Sequence, residues 1–257
     1  VREGPDASSR LATQALLGEI VDVYETQGGF SRVRCHRDHY VGWVIADALS
    51  AAITAPTHKV TALRTFVYAA PDLKSSVNSM LSLGARLTIT GQEGDYVLAE
   101  QAGWVHTRHL ALLGALETDP VAIADRYLHA PYLWGGRDSL GLDCTGLTQQ
   151  AFESTGVCLP RDSDMQFAWA GDDVVDWKVS GALKRGDLVF WKGHVGIMTD
   201  AHRLLHANAW HMAVTREPLE QAIVRIRTQY AEPIGARRID IGKLAGQVPH
   251  WMVEPVA

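Results

Sequence analysis

Cysteine is scarce in this 257-residue chain. Cys35, Cys144 and Cys158 are the whole complement, and no two of them form a Cys-x-x-Cys pair. That excludes a disulfide scaffold and a thiolate metal cluster, and an odd number leaves at least one thiol outside any intramolecular bridge. Long apolar runs are also lacking: charges or glycine interrupt every stretch before the ~20 residues a spanning helix needs, so no integral membrane segment is expected. No charged-then-apolar leader opens the chain, which begins at Val1. The default expectation is therefore the cytoplasm, with a periplasmic or secreted location left open by that first residue. There is no basic run either, and the formal net charge is -5. Phosphate backbones need a concentrated basic face, so no nucleic-acid partner is expected.

What is present suits a packed, folded chain: 47% of residues are apolar and 21% charged. The length allows one catalytic domain with one or two small modules. A weak repeat appears when Leu17 to Leu49 is laid beside Leu83 to Leu110. Leu17-Gly18 matches Leu83-Gly84, Gly29-Phe30 resembles Asp95-Tyr96, and Gly42-Trp43-Val44 matches Gly103-Trp104-Val105. The first offset is 66 residues and the last 61, so the first copy holds five extra residues, near Arg34 to Tyr40. Each copy reads as short alternating strands with glycine turns, a pattern that packs as a small β-barrel. Both copies resemble bacterial SH3-like domains, for which a late Gly-Trp-Val strand is a common mark; two hairpins of one larger β domain are the alternative. Ala55 to His58 reads as a linker, and Glu117 to Pro120 as the next boundary, with Asp119 capping a helix that begins at Pro120. The expected organisation is residues 1–54 and 55–117 as two all-β barrels, 118–240 as an α+β catalytic domain, and 241–257 as a tail.

Beyond that boundary the chain runs Pro131-Tyr132-Leu133-Trp134-Gly135-Gly136 and then Leu142-Asp143-Cys144-Thr145-Gly146. Leu147, Ala151 and Phe152 then share one helical face, and Gly156 follows as a stop. Cys144 is thus expected at a helix N-terminus, where free amides and the helix dipole favour a thiolate and can hold an oxyanion. Cys35 and Cys158 read as small buried hydrophobes. Gly186 to Trp191 reads as a turn feeding an apolar strand, and Gly193-His194-Val195-Gly196 as the start of the next. Leu204 to Asn208 makes a third, so His194 and His206 fall on neighbouring strands. His194 is then the base for the thiol, and His206 the group that orients it.

Asp143-Cys144-Thr145-Gly146, Gly186 to Phe190, Gly193 to Ile197 and His206-Ala207 together resemble the NlpC-type family of cell-wall cysteine peptidases. The resemblance covers roughly Pro120 to Ile239, with threonine at 145 where serine is common. It implies a papain-like core and a Cys144, His194, His206 triad. With two N-terminal SH3-like domains, it further implies hydrolysis of the γ-D-glutamyl-diamino acid bond in wall peptides with a free N-terminal L-Ala. Substrate roles carried over in this way fall on Asp143, Thr145, Ser163 and Tyr40, the last lent by the first barrel. A carboxylate beside a thiol raises the thiol pKa unless a cation offsets it, and the substrate ammonium is the expected cation.

Three rivals remain. A zinc site on His202, His206 and His211 with His194 conflicts with the strand-like alternation, so no metal or cofactor is expected. A non-catalytic wall-binding protein conflicts with an intact Cys144, His194 and His206. A general wall endopeptidase, amidase or acyltransferase on the same core stays open. Trp134, Trp169, Trp191 and Trp210 read as core or cleft aromatics. A cell-wall peptide is the expected partner, and no obligate protein partner is inferred.

Overall fold

The structure, a computed structural model, describes residues 1–100 and 102–253. The chain divides into two compact units, Val1–Ala115 and Leu116–Ala257, two residues short of the boundary expected from sequence.

The first unit is built of strands. β1 (Val21–Gln27), β2 (Phe30–Cys35) and β3 (Val41–Ile45) form an antiparallel three-stranded sheet. β4 (His58–Val60), β5 (Arg64–Tyr68), β6 (Val77–Ser82), β7 (Arg86–Leu87), β8 (Ile89–Glu93), β9 (Tyr96–Ala99), β10 (Gly103–His106) and β11 (Leu110–Leu112) follow in two further sheets. Alternation drives the burial: Val60, Val67, Leu81, Leu87, Ala99 and Val105 close one core cluster. The repeat has a structural basis. Gly18 and Gly84 both adopt positive φ, +79° and +90°, where glycine is the unstrained choice. The Gly-Trp-Val segments lie in β3 and β10, and the extra residues of the first copy form the turn between β2 and β3.

The second unit opens with α1 (Pro120–Arg126), whose N-cap Asp119 accepts from the Val121 amide at 2.9 Å with Pro120 in the first turn. β12 (Arg137–Asp138) and β13 (Gly141–Leu142) lead into α2 (Cys144–Glu153), and α3 (Ser163–Trp169) follows. β14 (Asp172–Asp173), β15 (Leu188–Trp191), β16 (His194–Met198), β17 (Arg203–Asn208), β18 (Ala213–Pro218) and β19 (Pro233–Arg238) make one antiparallel sheet in the order β14-β19-β15-β16-β17-β18. Helix α4 (Leu219–Gln229) packs on β17 and β18. Its Leu219, Ala222 and Ile226 meet Val189, Trp191, Met198, Leu204 and Ala236 in the core.

α2 packs against β16 and β17 and is buried all round from Cys144 to Phe152. Its polar side chains are therefore hydrogen-bonded inside: Gln149 Nε2 donates to the Leu159 carbonyl at 2.9 Å, and Thr148 Oγ1 to Gln166 Oε1 at 2.8 Å. The region from Ile241, unread in the sequence, folds back on this unit as far as it is described. It carries α5 (Ile241–Leu244) and α6 (His250–Val253), with the His250 ring 3.9 Å from that of Trp169.

Candidate active site

Asp143 is the N-cap of α2, accepting from the Gly146 amide at 2.8 Å. This places Cys144 in the first turn of that helix, as expected. Glycines let the helix end approach its neighbour: a Cβ on Gly146 would lie 2.2 Å from the Gly136 carbonyl oxygen. The Cys144 thiol is buried, and the amides of Val195, next in the chain to His194, and of Thr145 donate toward its sulfur.

The electrostatics depart from the expected thiolate. Burial, then the Asp143 carboxylate, push the Cys144 thiol up to about 12, and the two amides and Arg161 offset this only in part. Desolvation outweighs the helix terminus because the sulfur has lost its water. His194 is held well below the ordinary histidine range by burial, then by the fields of His206 and Arg225. Both shifts favour an uncharged thiol and an uncharged imidazole, a pair in which His194 can take the proton as the sulfur attacks.

His206, expected beside His194, is next to it. His194 Nε2 lies 2.8 Å from His206 Nδ1, and His206 is fully buried. His206 Nε2 in turn lies 2.7 Å from Glu217 Oε1, and Arg225 Nη2 donates to the same carboxylate oxygen. Glu217 and Arg225 escaped the sequence reading. Leu204 opposes Glu217, and His206 opposes Thr215, across β17 and β18. Glu217 is therefore the diagonal neighbour of His206 on the same face.

Asp143 requires a correction. It is not an uncompensated acid awaiting a substrate ammonium: Arg161 grips it through Nη1–Oδ1 at 3.0 Å and Nη2–Oδ2 at 2.7 Å. The Gly135 amide adds a bond to Oδ2 at 2.9 Å. Thr145 is likewise engaged, donating to Asp143 Oδ1 at 3.1 Å and accepting from Arg161 Nη1. Both residues build the helix terminus. Ser163 opens α3, half-buried, and Gln166 ties α3 to α2 through a bond from Nε2 to the Thr145 carbonyl at 3.4 Å. Tyr132, also unread, lies in the field of Cys144 and Asp143; burial and those two groups raise its phenol, which stays a hydrogen-bond donor.

In the first unit, Tyr40 ends the turn after β2. Its carbonyl accepts from the Cys35 amide at 2.9 Å, and its own amide donates to buried Asp38 at 3.2 Å. The ring is half-buried. His202 and His206, the pair weighed for zinc, are in different surroundings: His202 is exposed in the turn before β17, while His206 is buried between His194 and Glu217.

A thiol at a helix N-terminus, packed against two neighbouring strands that carry hydrogen-bonded imidazoles, is an arrangement that cysteine peptidases use for nucleophilic attack. Residues 129–231 match the NlpC/P60 family and residues 1–49 the bacterial dipeptidyl-peptidase SH3 domain. The chain therefore carries an N-terminal SH3 domain followed by a cysteine peptidase domain of the NlpC/P60 type. It is 27% identical over 247 residues to a gamma-D-glutamyl-L-lysine dipeptidyl-peptidase of Bacillus cereus, covering 82% of this chain and 72% of the relative. Dipeptidyl-peptidase 6 of Lysinibacillus sphaericus is 26% identical, over 77% of this chain and 70% of its own length. A crystal structure of an NlpC/P60 family protein from Bacillus cereus superposes with a TM-score of 0.73 at 25% identity, covering 88% of this chain and 81% of that one.

Proposed function

We propose that this peptidase hydrolyses the γ-D-glutamyl-diamino acid bond of cell-wall peptides whose N-terminal L-Ala carries a free amine, releasing L-Ala-γ-D-Glu. One observation carries the reading: likeness to a γ-D-glutamyl-L-lysine dipeptidyl-peptidase runs through 82% of the chain rather than the catalytic unit alone. A dipeptidyl-peptidase counts two residues from a free N-terminus, so it must recognise the amine. In this proposal Cys144 is the nucleophile, His194 the base and His206 its orienting partner, while Ser163 and Tyr40 contribute to substrate recognition. Residues 55–117 act as a second SH3-like domain, a reading supported by the core cluster they form and by the repeat.

A stem peptide still joined to its sugar has the L-Ala nitrogen tied up as an amide. The proposed substrates are therefore released fragments, and recycling of wall peptides in the cytoplasm is the setting this favours.

The test is L-Ala-γ-D-Glu-L-Lys beside its meso-diaminopimelate counterpart, each free and N-acetylated, with product read by mass. Loss of the hydrogen bonds that a charged amine makes to uncharged side chains is expected to cost about 1.5–3 kcal/mol in kcat/KM. Cys144→Ala should give no product, while Cys35→Ala and Cys158→Ala should hydrolyse the free peptides normally. Equal rates on free and acetylated peptides would discard amine recognition and leave a general wall endopeptidase.

A further inference from the structure

We propose that Glu217, clamped by Arg225, is a positioning residue that fixes the tautomers of His206 and His194 in series, leaving His194 a bare nitrogen for Cys144. The proposal rests on Cys144 and His194 being nucleophile and base. It does not depend on which peptide is cut.

The hydrogen-bond chain has only one self-consistent direction if Glu217 is a carboxylate. A carboxylate only accepts, so His206 Nε2, 2.7 Å away, must be the N–H. In an uncharged imidazole the other nitrogen is then bare. His206 Nδ1 thus accepts from His194 Nε2 across 2.8 Å. That places the His194 proton on Nε2 and leaves Nδ1 as an acceptor for the thiol. The proton leaves Sγ of Cys144 with its bonding pair kept on sulfur, and His194 Nδ1 becomes N–H. No other proton need move. Reverse the first link and the whole chain reverses: a proton on His206 Nδ1 would face His194 Nε2, push the His194 proton to Nδ1 and leave the thiol no base.

Arg225 keeps the first link fixed. Burial alone would raise Glu217, but the bond from His206 and the charge of Arg225 outweigh it and hold the carboxyl below its ordinary range. Other side chains also face this hydrogen-bond chain. His211 adds its field at His206, Trp191 lies 5.6 Å from the His194 ring, and Asp143, Arg161 and Tyr132 surround the thiol.

Glu217→Gln keeps the size but offers both a donor and an acceptor, so either direction becomes possible. Three readouts separate positioning from mere support. Histidine 15N shifts of the wild-type enzyme should give Nε2–H for both rings, and Glu217→Gln should give mixed tautomers. The kcat on the γ-glutamyl tripeptide should fall about tenfold or more with KM nearly unchanged. Alkylation of Cys144 by iodoacetamide, which needs no peptide, should slow by a similar factor at neutral pH and recover only at higher pH. Arg225→Met should act in the same direction.

Nδ1–H on either ring of the wild type would overturn the proposal even if the variants fail to fold. So would a Glu217→Gln enzyme that keeps kcat and alkylation within twofold of wild type. Failure on the tripeptide with the expected alkylation result would reject the substrate and keep the relay.

Discussion

Asp143 and Arg161 are the most costly pair in the site, because both are nearly out of water: their side chains retain 9% and 2% exposure. Burying such a pair is favourable only where the remaining bonding capacity is filled. Here Gly135, Gly146 and Thr145 supply three further donors to the carboxylate. Removing the arginine strands a buried carboxylate at the cap of the catalytic helix. Arg161→Met should therefore lose about 3–5 kcal/mol of stability, read as a shift of the urea midpoint with an unchanged slope. Asp143→Asn in the same chain should recover part of the loss. A single-variant loss below about 1 kcal/mol would mean that water reaches the pair and that its role at the cap is minor. The thiol reports the same change, since the Arg161 charge is one of the influences lowering its pKa. Iodoacetamide should alkylate Cys144 more slowly in Arg161→Met.

At the scale of elements, α2 is held where a crossing of backbones permits. Gly146 meets the Gly136 carbonyl, and a Cβ on Gly136 would itself lie 2.4 Å from the Gly141 carbonyl oxygen. Backbone cannot swing aside as a long side chain does, so Gly146→Ala should displace the first turn of α2. The expected cost is about 1–3 kcal/mol, with kcat falling more than stability predicts because Cys144 is two residues away. Full activity in a Gly146→Ala enzyme would mean that the crossing is loose.

Much of this was legible. Asp119-Pro120 marked the start of α1, the apolar spacing after Cys144 marked that of α2, and the alternation around His194 and His206 put them on neighbouring strands. Glu217 and Arg161 were not, since Arg-Glu-Pro and Pro-Arg-Asp read as exposed polar segments until register and chain path fold them inward. The thiol's electrostatics failed for a related reason: a helix terminus is visible in sequence, whereas the depth at which it is buried is not. Repeat spacing located the β2–β3 turn, but a pattern of short strands leaves open how many barrels they close.

For the catalytic unit as a whole, the buried imidazoles tie folding to pH. His194 and His206 both sit below the ordinary histidine value, with burial the first cause in each. The unfolded chain therefore binds more protons than the folded one as pH falls through about 6.5. Stability from these two groups is fully present above that pH and is lost on acidification toward their folded values. Glu217, also lowered, acts in the same direction further down: its contribution is present above the unfolded carboxyl value and lost as pH falls through the folded one. No group of this relay favours the folded state on acidification. A chain of two compact units need not unfold in one step, so the measurement should be local. Hydrogen exchange of β16 and β17 amides, corrected for intrinsic rate, should show protection falling between pH 7.5 and 5.5. His206→Asn, which removes one of the two imidazoles, should have a shallower dependence over that interval. Protection that is flat with pH in the wild type would mean that both rings titrate as they do in the unfolded chain, and an equally steep dependence in His206→Asn would mean that His206 adds nothing to the slope.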